Sequence, residues 1–495
     1  MFHRRRVVPA LLALTLLAGC GSRLSQGELV ALNGGSSTVT QDVAGAAPAA
    51  VSEAAEPATV PAPTDGTLPA AAPPVAAATT AATAKPGKST AAPKAGTPAS
   101  GTATTTTTGA KVGAAQPTVN TDNKPLTICS ISELAGPVGA ALADGVHGMQ
   151  AWVGDVNAHG GVAGHQIRLI VKDSGSDPNV ALSHARACVE NEGAVAIVGS
   201  MMPLTGRGMM AYLESKGVPA IGGDCGASFW NESAVFYNQC PAVETIYWYL
   251  AYEAAHSGAA NKKFAVMYCQ EAQTCAEGKK WMIDQKFPEK NGLELAYTKV
   301  ISLTQLDFTS ECSAMKSAGV TSAAVVADPS TMQRLGQSCS RQGFNPIYVE
   351  PYASVAVDSP QKAGLGNITL GMPVMPFCCV AGKDAQNANY QRYLTANQRY
   401  GGGKPASPAT ALGFTAGLLF ESFLDHVAKT TATVTPAALL KAAGGIKNDT
   451  LGGVVPPITL TSGQKTPDSK CWFVMQARSG GQWTAPNGLK MTCRK

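Results

Sequence analysis

The sequence predicts an α/β protein in which one chain carries two doubly wound parallel-sheet lobes, and three observations predict it. From residue 124 onward, short apolar runs alternate with stretches of helical period, the order that right-handed strand–helix–strand units impose. The alternation restarts after Cys240-Pro241, so about 370 residues lay down two sheets, more than one core usually holds. Residues 194–205, AVAIVGSMMPLT, set a run of small and β-branched residues before Gly199 and a loop that opens a helix. Such a run suits a strand buried on both faces. Its loop then lies at a C-terminal strand edge, where neighbouring connections diverge and ligands bind. The duller reading is a buried strand followed by a loop without function.

The N-terminal region gives an address. His3, Arg4, Arg5 and Arg6 precede an apolar stretch, 7–18, too short to span a bilayer and suited to the h-region of a secretory signal. It ends in Leu17-Ala18-Gly19-Cys20, which resembles the bacterial lipobox. The resemblance implies cleavage before Cys20, a lipid on its thiol and an extracytoplasmic position at the cell membrane, with Gly21 next. The paired arginines also leave export through the twin-arginine route open. Loss of residues 1–19 removes three Arg and no acid, so the formal charge of +5 falls to +2. Near neutrality argues against a nucleic-acid partner, which needs a concentrated basic face. Residues 20–123 are Ala-, Pro-, Thr-, Gly- and Ser-rich and read as a disordered tether, since such a composition buries too little apolar surface to offset chain ordering. The longest later apolar run, 411–420, stops at Glu421, so the lipid is the expected membrane attachment.

The elements follow in order. A strand is expected at 126–132 and a helix at 138–158, with Ala140, Ala141, Val146, Met149 and Val153 toward the core. His159-Gly160-Gly161 turns the chain into a strand ending at Asp173, and Asp177-Pro178 supplies the N-cap and first residue of a helix reaching Asn191. The central strand, a helix at 205–216 and a strand at 218–222 complete the first series. The second series reads helix 243–256, strand 263–268, helix 276–287, strand 294–301, helix 307–317, strand 322–327, helix 329–341 and strand 346–350. Helices dominate 384–444, notably 407–429, where Leu412, Ala416, Leu419, Phe420, Phe423 and Val427 share a face. Short strands close the chain.

Four linked pieces stand in order along the chain: the Gly-Pro-containing loop 132–137, the helix end and turn Asp155-Val156-Asn157-Ala158-His159-Gly160-Gly161-Val162, the strand end Asp173-Ser174-Gly175-Ser176-Asp177-Pro178, and Gly217-Val218-Pro219. Together they resemble the type I periplasmic-binding fold, in particular the leucine/isoleucine/valine-binding branch of ABC-transporter solute receptors. The resemblance implies three interlobe crossovers, near Gln239, near Met375 and within 474–477, giving lobes of 124–239 with 376–474 and of 240–375 with 475–495. It also implies a hinge that closes on a small polar, amino-acid-like solute, and an ABC permease that recognises the closed form. An amino-acid receptor holds the carboxylate on backbone N–H groups and hydroxyls at helix N-termini and the ammonium on an acid or aromatic face. The candidate ligand-binding residues are Ser200, Pro203, Thr205, Asp224, Cys225 and Gly226 on the first lobe. On the second they are Asp328, Glu350 and Tyr352, from the segments 270–275, 328–330 and 350–352. The family's loop hydroxyl is replaced by Met202-Pro203 and its Ala-Thr by Asp224-Cys225-Gly226, so an amide, polyol or aromatic ligand stays open. Asp328 and Thr205 would equally serve as helix caps, and Tyr352 as hinge packing.

Cys20 aside, twelve cysteines remain, an even number in an exported chain, and disulfides are the default. Proximity pairs Cys225 with Cys240, Cys269 with Cys275, Cys312 with Cys339 and Cys471 with Cys493. Zinc and other metals are not expected: no CxxC occurs, Cys378-Cys379 lacks a partner motif, and His147, His159, His165 and His184 follow no ligand spacing. Ser313-Ala314-Met315-Lys316 matches S-x-x-K, which would make an envelope hydrolase, but no K-T-G or S-D-N follows. Nucleophile-elbow, zincin, P-loop and dinucleotide fingerprints are absent. The expectation is therefore a non-enzymatic solute receptor without cofactor, coupled to a permease or, on the same fold, to a signalling protein.

Overall fold

The computed structural model describes residues 124–494 apart from 136–137, 272, 353–356, 363, 431–432 and 479–480. The signal, lipobox and tether expectations lie outside the described residues. The first sheet is fully parallel, in the order β2-β1-β3-β4-β5, with strands Leu126–Ser132 (β1), Ile167–Asp173 (β2), Ala196–Ser200 (β3), Ala220–Gly223 (β4) and Phe236–Tyr237 (β5). β1 lies inside the sheet between β2 and β3, because helices cross over each face in turn, which is the doubly wound arrangement expected. β3 is buried along its whole length, as its run of small and branched side chains requires.

Helices Gly139–Ala158 (α1), Pro178–Arg186 (α2) and Gly206–Lys216 (α3) make the connections of this sheet. Asp177 caps α2 by accepting from Asn179 N, with Pro178 at the first position. The helix expected to reach Asn191 changes to a π turn at Ala187–Asn191, and this turn carries Cys188 into a disulfide with Cys129 of β1.

The second sheet runs β12-β11-β10-β9-β8-β6-β7, with β13 pairing β11 off that path. Its strands are Lys263–Cys269 (β6), Glu294–Ile301 (β7), Ser322–Val326 (β8), Ile347–Pro351 (β9), Ile368–Met372 (β10), Cys471–Ala477 (β11), Trp483–Thr484 (β12) and Thr492–Cys493 (β13). β6 to β10 pair in parallel, while β11 returns antiparallel to β10. β11 lies wholly in this sheet, and the segment that leads into it touches β5 and residues 242–245. There Thr466 Oγ1 donates to Phe236 O, and Asp468 accepts from Ala242 N and Thr245 Oγ1.

Helices Val243–His256 (α4), Gln273–Lys279 (α5), Thr309–Ser317 (α6) and Pro329–Arg341 (α7) accompany the second sheet. The helix expected at 276–287 starts three residues earlier and breaks. A π turn at Lys280–Asp284 follows α5, Lys286 takes a left-handed φ of 55°, and Pro288 sits in a new turn at Phe287–Lys290. Proline cannot supply the N–H a continuous helix needs there.

Helices Ala388–Tyr400 (α8), Pro408–Ala428 (α9) and Pro436–Ala442 (α10) follow β10, and α9 packs on α1, β3 and β4 of the first sheet. Ser407 and Thr410 close a capping box at its start. Its approach to α1 depends on missing side chains: a Cβ on Gly413 would sit on the Gly145 carbonyl, and one on Gly148 would meet the Thr410 carbonyl. Among the described residues no helix is long and apolar enough to cross a membrane.

The four expected cysteine pairs are joined, together with Cys129–Cys188 and the vicinal Cys378–Cys379. Among the described residues no cluster of His, Cys, Asp and Glu could hold a metal.

Candidate functional site

The C-terminal edges of β3 and β4 on one sheet meet those of β6, β8 and β9 on the other across a cavity of about 100 Å³. Val138, Leu142, Pro203, Asp224 and Gly226 line it from the first sheet's side. Val243, Ile246 and Tyr247 of α4 present one helical face to it, joined by Val326, Asp328 and Tyr352 from the strand ends of the second sheet. The lining is predominantly apolar. One hydrogen bond spans the gap: Cys225 N donates to the Tyr352 hydroxyl at 3.0 Å.

The loop after β3 is held by carboxylates from its own chain. Glu133, in the loop after β1, accepts on Oε1 from Leu204 N at 2.8 Å, Thr205 N at 3.0 Å and Thr205 Oγ1 at 3.1 Å. Asp224 accepts from Met202 N on Oδ2 and from Gly226 N on Oδ1, both at 2.9 Å. Both acids are fully buried. Burial pushes the Glu133 carboxyl up to about 7, against the lowering effect of the Leu204 N–H, and the nearby Asp224 raises it further. Burial likewise lifts Asp224 to about 6, with the Met202 and Gly226 N–H groups opposing it. Burial raises the Tyr247 and Tyr352 hydroxyls far above the usual phenol range, so both stay protonated. Tyr247 donates to Thr274 O at 2.8 Å.

Of the residues singled out in the sequence, Pro203, Asp224, Gly226, Asp328 and Tyr352 line the cavity. Asp328 is also the N-cap of α7, accepting from Ser330 N and Thr331 N. Cys225 contributes its N–H to Tyr352 and its sulfur to the bond with Cys240. Ser200, Thr205 and Glu350 are not among the lining residues. Ser200 Oγ accepts from Ile131 N inside the first sheet, and Thr205 is committed to Glu133. Glu350 Oε1 accepts from Val325 N in place of a ladder bond between β9 and β8, and burial holds its carboxyl well above the usual range. Inward position at a strand end does not guarantee cavity access, because a side chain that serves the strand beside it stays in the sheet.

Sequence reasoning passed over Glu133 and Tyr247. Glu133 sits in the 132–137 loop already marked as a candidate, and a lone acid directly after the first strand is the available signal. Tyr247 could have been found from the spacing Val243, Ile246, Tyr247 just after the crossover.

A family model described as periplasmic binding protein matches residues 125–482, nearly three quarters of the chain. The chain belongs to the periplasmic binding protein family. Its solved relatives in fold include the branched-chain amino acid binding protein LivJ of Streptococcus pneumoniae in complex with isoleucine, at 16% identity and TM-score 0.59, covering 75% of this chain and 99% of that one. A fatty acid ABC transporter substrate-binding protein from Thermomonospora curvata matches at 16% identity and TM-score 0.60, covering 76% and 94%. A solute-binding protein of an R. palustris ABC transporter in complex with benzoate matches at 15% and TM-score 0.58, covering 75% and 98%. No curated protein matches the chain in sequence. As a periplasmic binding protein of type I fold, the chain is a small-molecule binder of extracytoplasmic location.

Proposed function

We propose that this periplasmic binding protein is the solute-capturing subunit of an ABC importer, tethered by a lipid on Cys20, and that it closes its two lobes over a small molecule in the cavity between the sheets. We take 124–239 with 376–470 as one lobe and 240–375 with 471–495 as the other, moving the last boundary to the start of β11. The carrying observation is the cavity between two sets of strand ends, spanned by the Cys225–Tyr352 bond. A ligand there touches both lobes, so it binds the closed form better than the open one, and differential affinity of that kind shifts the equilibrium toward closure. A permease that engages the closed form then reads occupancy.

The lining sets the body of the ligand. With Leu142, Val243, Ile246 and Val326 around it, the bound molecule is largely apolar, in the range of a branched aliphatic chain or one aromatic ring. That is consistent with the isoleucine and benzoate of the two liganded relatives in fold. The mature protein is tested by thermal shift against amino acids, amides, amines, sugars and aromatic acids. A ligand at about 100 times its Kd adds about 2.7 kcal/mol of stability. Uptake of the compound so found is then measured in cells lacking the chain: loss of uptake supports the importer role, and unchanged uptake with altered gene expression would point to a signalling receptor instead.

A further inference from the structure

The segment that leaves β10 for α8 carries two adjacent cysteines joined to each other, Cys378 and Cys379. Their role rests on the two-lobed closure just proposed. Chain entropy does not account for this bond, because the stabilisation a disulfide gives grows with the logarithm of the loop it closes. The other five pairs have sequence separations between 6 and 59, this one a separation of 1. Exposure also sets it apart. Cys129–Cys188, Cys225–Cys240, Cys269–Cys275 and Cys312–Cys339 are buried at both ends, and Cys471 is the buried end of its bond with Cys493. Cys378 is half-buried and Cys379 exposed, so a thiol in solution reaches this pair first.

The position of the bond gives it something to act on, since the strap 375–386 is pinned to the two lobes in turn. Met375 N donates to Val454 O on the first lobe at 2.8 Å. The Phe377 ring meets Trp483 of β12, on the second lobe, edge-on with centroids 5.8 Å apart. Val380 N then donates to the Tyr390 hydroxyl of α8 at 3.4 Å, and Asp384 Oδ2 accepts from Leu489 N in the C-terminal tail at 3.0 Å. Rotation of one lobe against the other is absorbed in the backbone between such pins, typically in a few residues. Cys378 and Cys379 stand between the second pin and the third. A bond between neighbouring side chains closes a small ring through the backbone, so neither residue turns freely while it lasts. Cys379 stands at a φ of 70°, in the left-handed region that a residue with a side chain rarely adopts, and the ring keeps it there. This backbone accompanies the contact of Cys225 N with Tyr352 across the cleft.

We propose that Cys378–Cys379 is a redox modification site that sets the stiffness of the hinge: oxidised, it favours the lobes in contact, and reduced by a dithiol, it lets them part. The exchange is balanced. A thiolate of the donor attacks the Cys379 sulfur, the S–S bond breaks, and Cys378 leaves as a thiolate that takes a proton. The donor's second thiolate then displaces Cys379, which takes a proton in turn. The donor ends as a disulfide, and two electrons and two protons have passed to the pair. Cys379 is then free to leave the left-handed region, and the strap follows the lobes.

The test treats the whole mature protein, without ligand, with graded dithiothreitol. Alkylation and mass spectrometry locate the free thiols, and amide hydrogen exchange at Cys225 reads the opening of the cleft. Cys378 and Cys379 should be alkylated before any other pair, and exchange at Cys225 should rise at least threefold at that point. The double variant Cys378→Ser, Cys379→Ser should show the raised rate without reductant and no further rise at the same dose. Should it misfold, the reduced parent decides. Earlier alkylation of another pair overturns the proposal, as does unchanged exchange in the reduced parent, or a rise that the variant shows only after reductant. Compounds of the thermal-shift panel separate this site from ligand capture. If one of them slows exchange at Cys225 while the ligand-free rates of both redox states are equal, capture stands and the redox site fails. If reduction raises exchange and no panel compound slows it, the redox site stands and capture in the cleft fails.

Discussion

Replacing Glu133 by glutamine separates the electrostatic cost of this carboxyl from the hydrogen bonds it makes. Burial raises its folded value from 4.5 to about 7. The folded state therefore binds the proton more tightly than the unfolded chain, and the stability present below 4.5 is lost as pH rises toward 7. A shift of that size corresponds to about 3 kcal/mol across the window. Glutamine keeps an oxygen for Leu204 N, Thr205 N and Thr205 Oγ1 but does not ionise. Near pH 5 the variant should be within about 1 kcal/mol of the parent, and near pH 8 more stable by about 2–3 kcal/mol. Urea unfolding of the ligand-free protein across that range measures both. Parallel stability curves for parent and variant would refute the reasoning, since they would mean that Glu133 carries no burial cost. Asp224, raised from 3.8 to about 6, has the same sign and leaves a residual slope at lower pH in the variant.

Three other outcomes follow from the same geometry. Tyr352→Phe removes the acceptor for Cys225 N and leaves that buried group unpaired, at about 1–3 kcal/mol, so the melting temperature should fall and solution scattering should report a larger radius of gyration for the ligand-free form. Replacing Cys225 and Cys240 together by serine opens a disulfide with a sequence separation of 15, which should lower urea stability by about 3 kcal/mol; no change would mean that the loop is held by Asn238 and Gln239 alone. Asp328→Ala removes the cap of α7 and should lower stability by about 1–2 kcal/mol, and Asp328→Asn should recover most of that loss.

The lobed α/β architecture was legible because buried parallel strands and their crossover helices leave strong periodic patterns. β1, β7, α4 and α7 fall on their expected residues. β5 and β10 escaped notice for different reasons. β5 has two residues, and β10, ITLGM, carries Gly371 where the Tyr249 ring needs the space of a side chain. The breaks after Arg186 and Lys279 arise from π turns, which no local pattern distinguishes from continuing helix. At the site, loop positions such as Pro203, Asp224 and Tyr352 could be placed by counting strand ends. Whether Ser200, Thr205 and Glu350 reach the cavity depends on which neighbour claims each side chain, a tertiary fact that spacing does not encode. The cysteine pairs could be guessed where the partners were near in sequence, but Cys129–Cys188 links a strand to a helix end 59 residues away.

The most direct test of the account is binding to Gly226→Trp. A Cβ at Gly226 meets Asp224 Oδ1, Pro203 Cβ and Thr274 Cγ2 at 3.5, 3.6 and 3.7 Å, ordinary contact distances, so an added side chain starts without a clash and extends into the space the residue lines. The compound that stabilises the unaltered protein most in the thermal-shift panel should leave the melting temperature of this variant unmoved, while the variant's own ligand-free unfolding stays cooperative. An equal ligand-induced shift in both proteins would contradict the account, because the molecule would then bind somewhere other than between the two sheets.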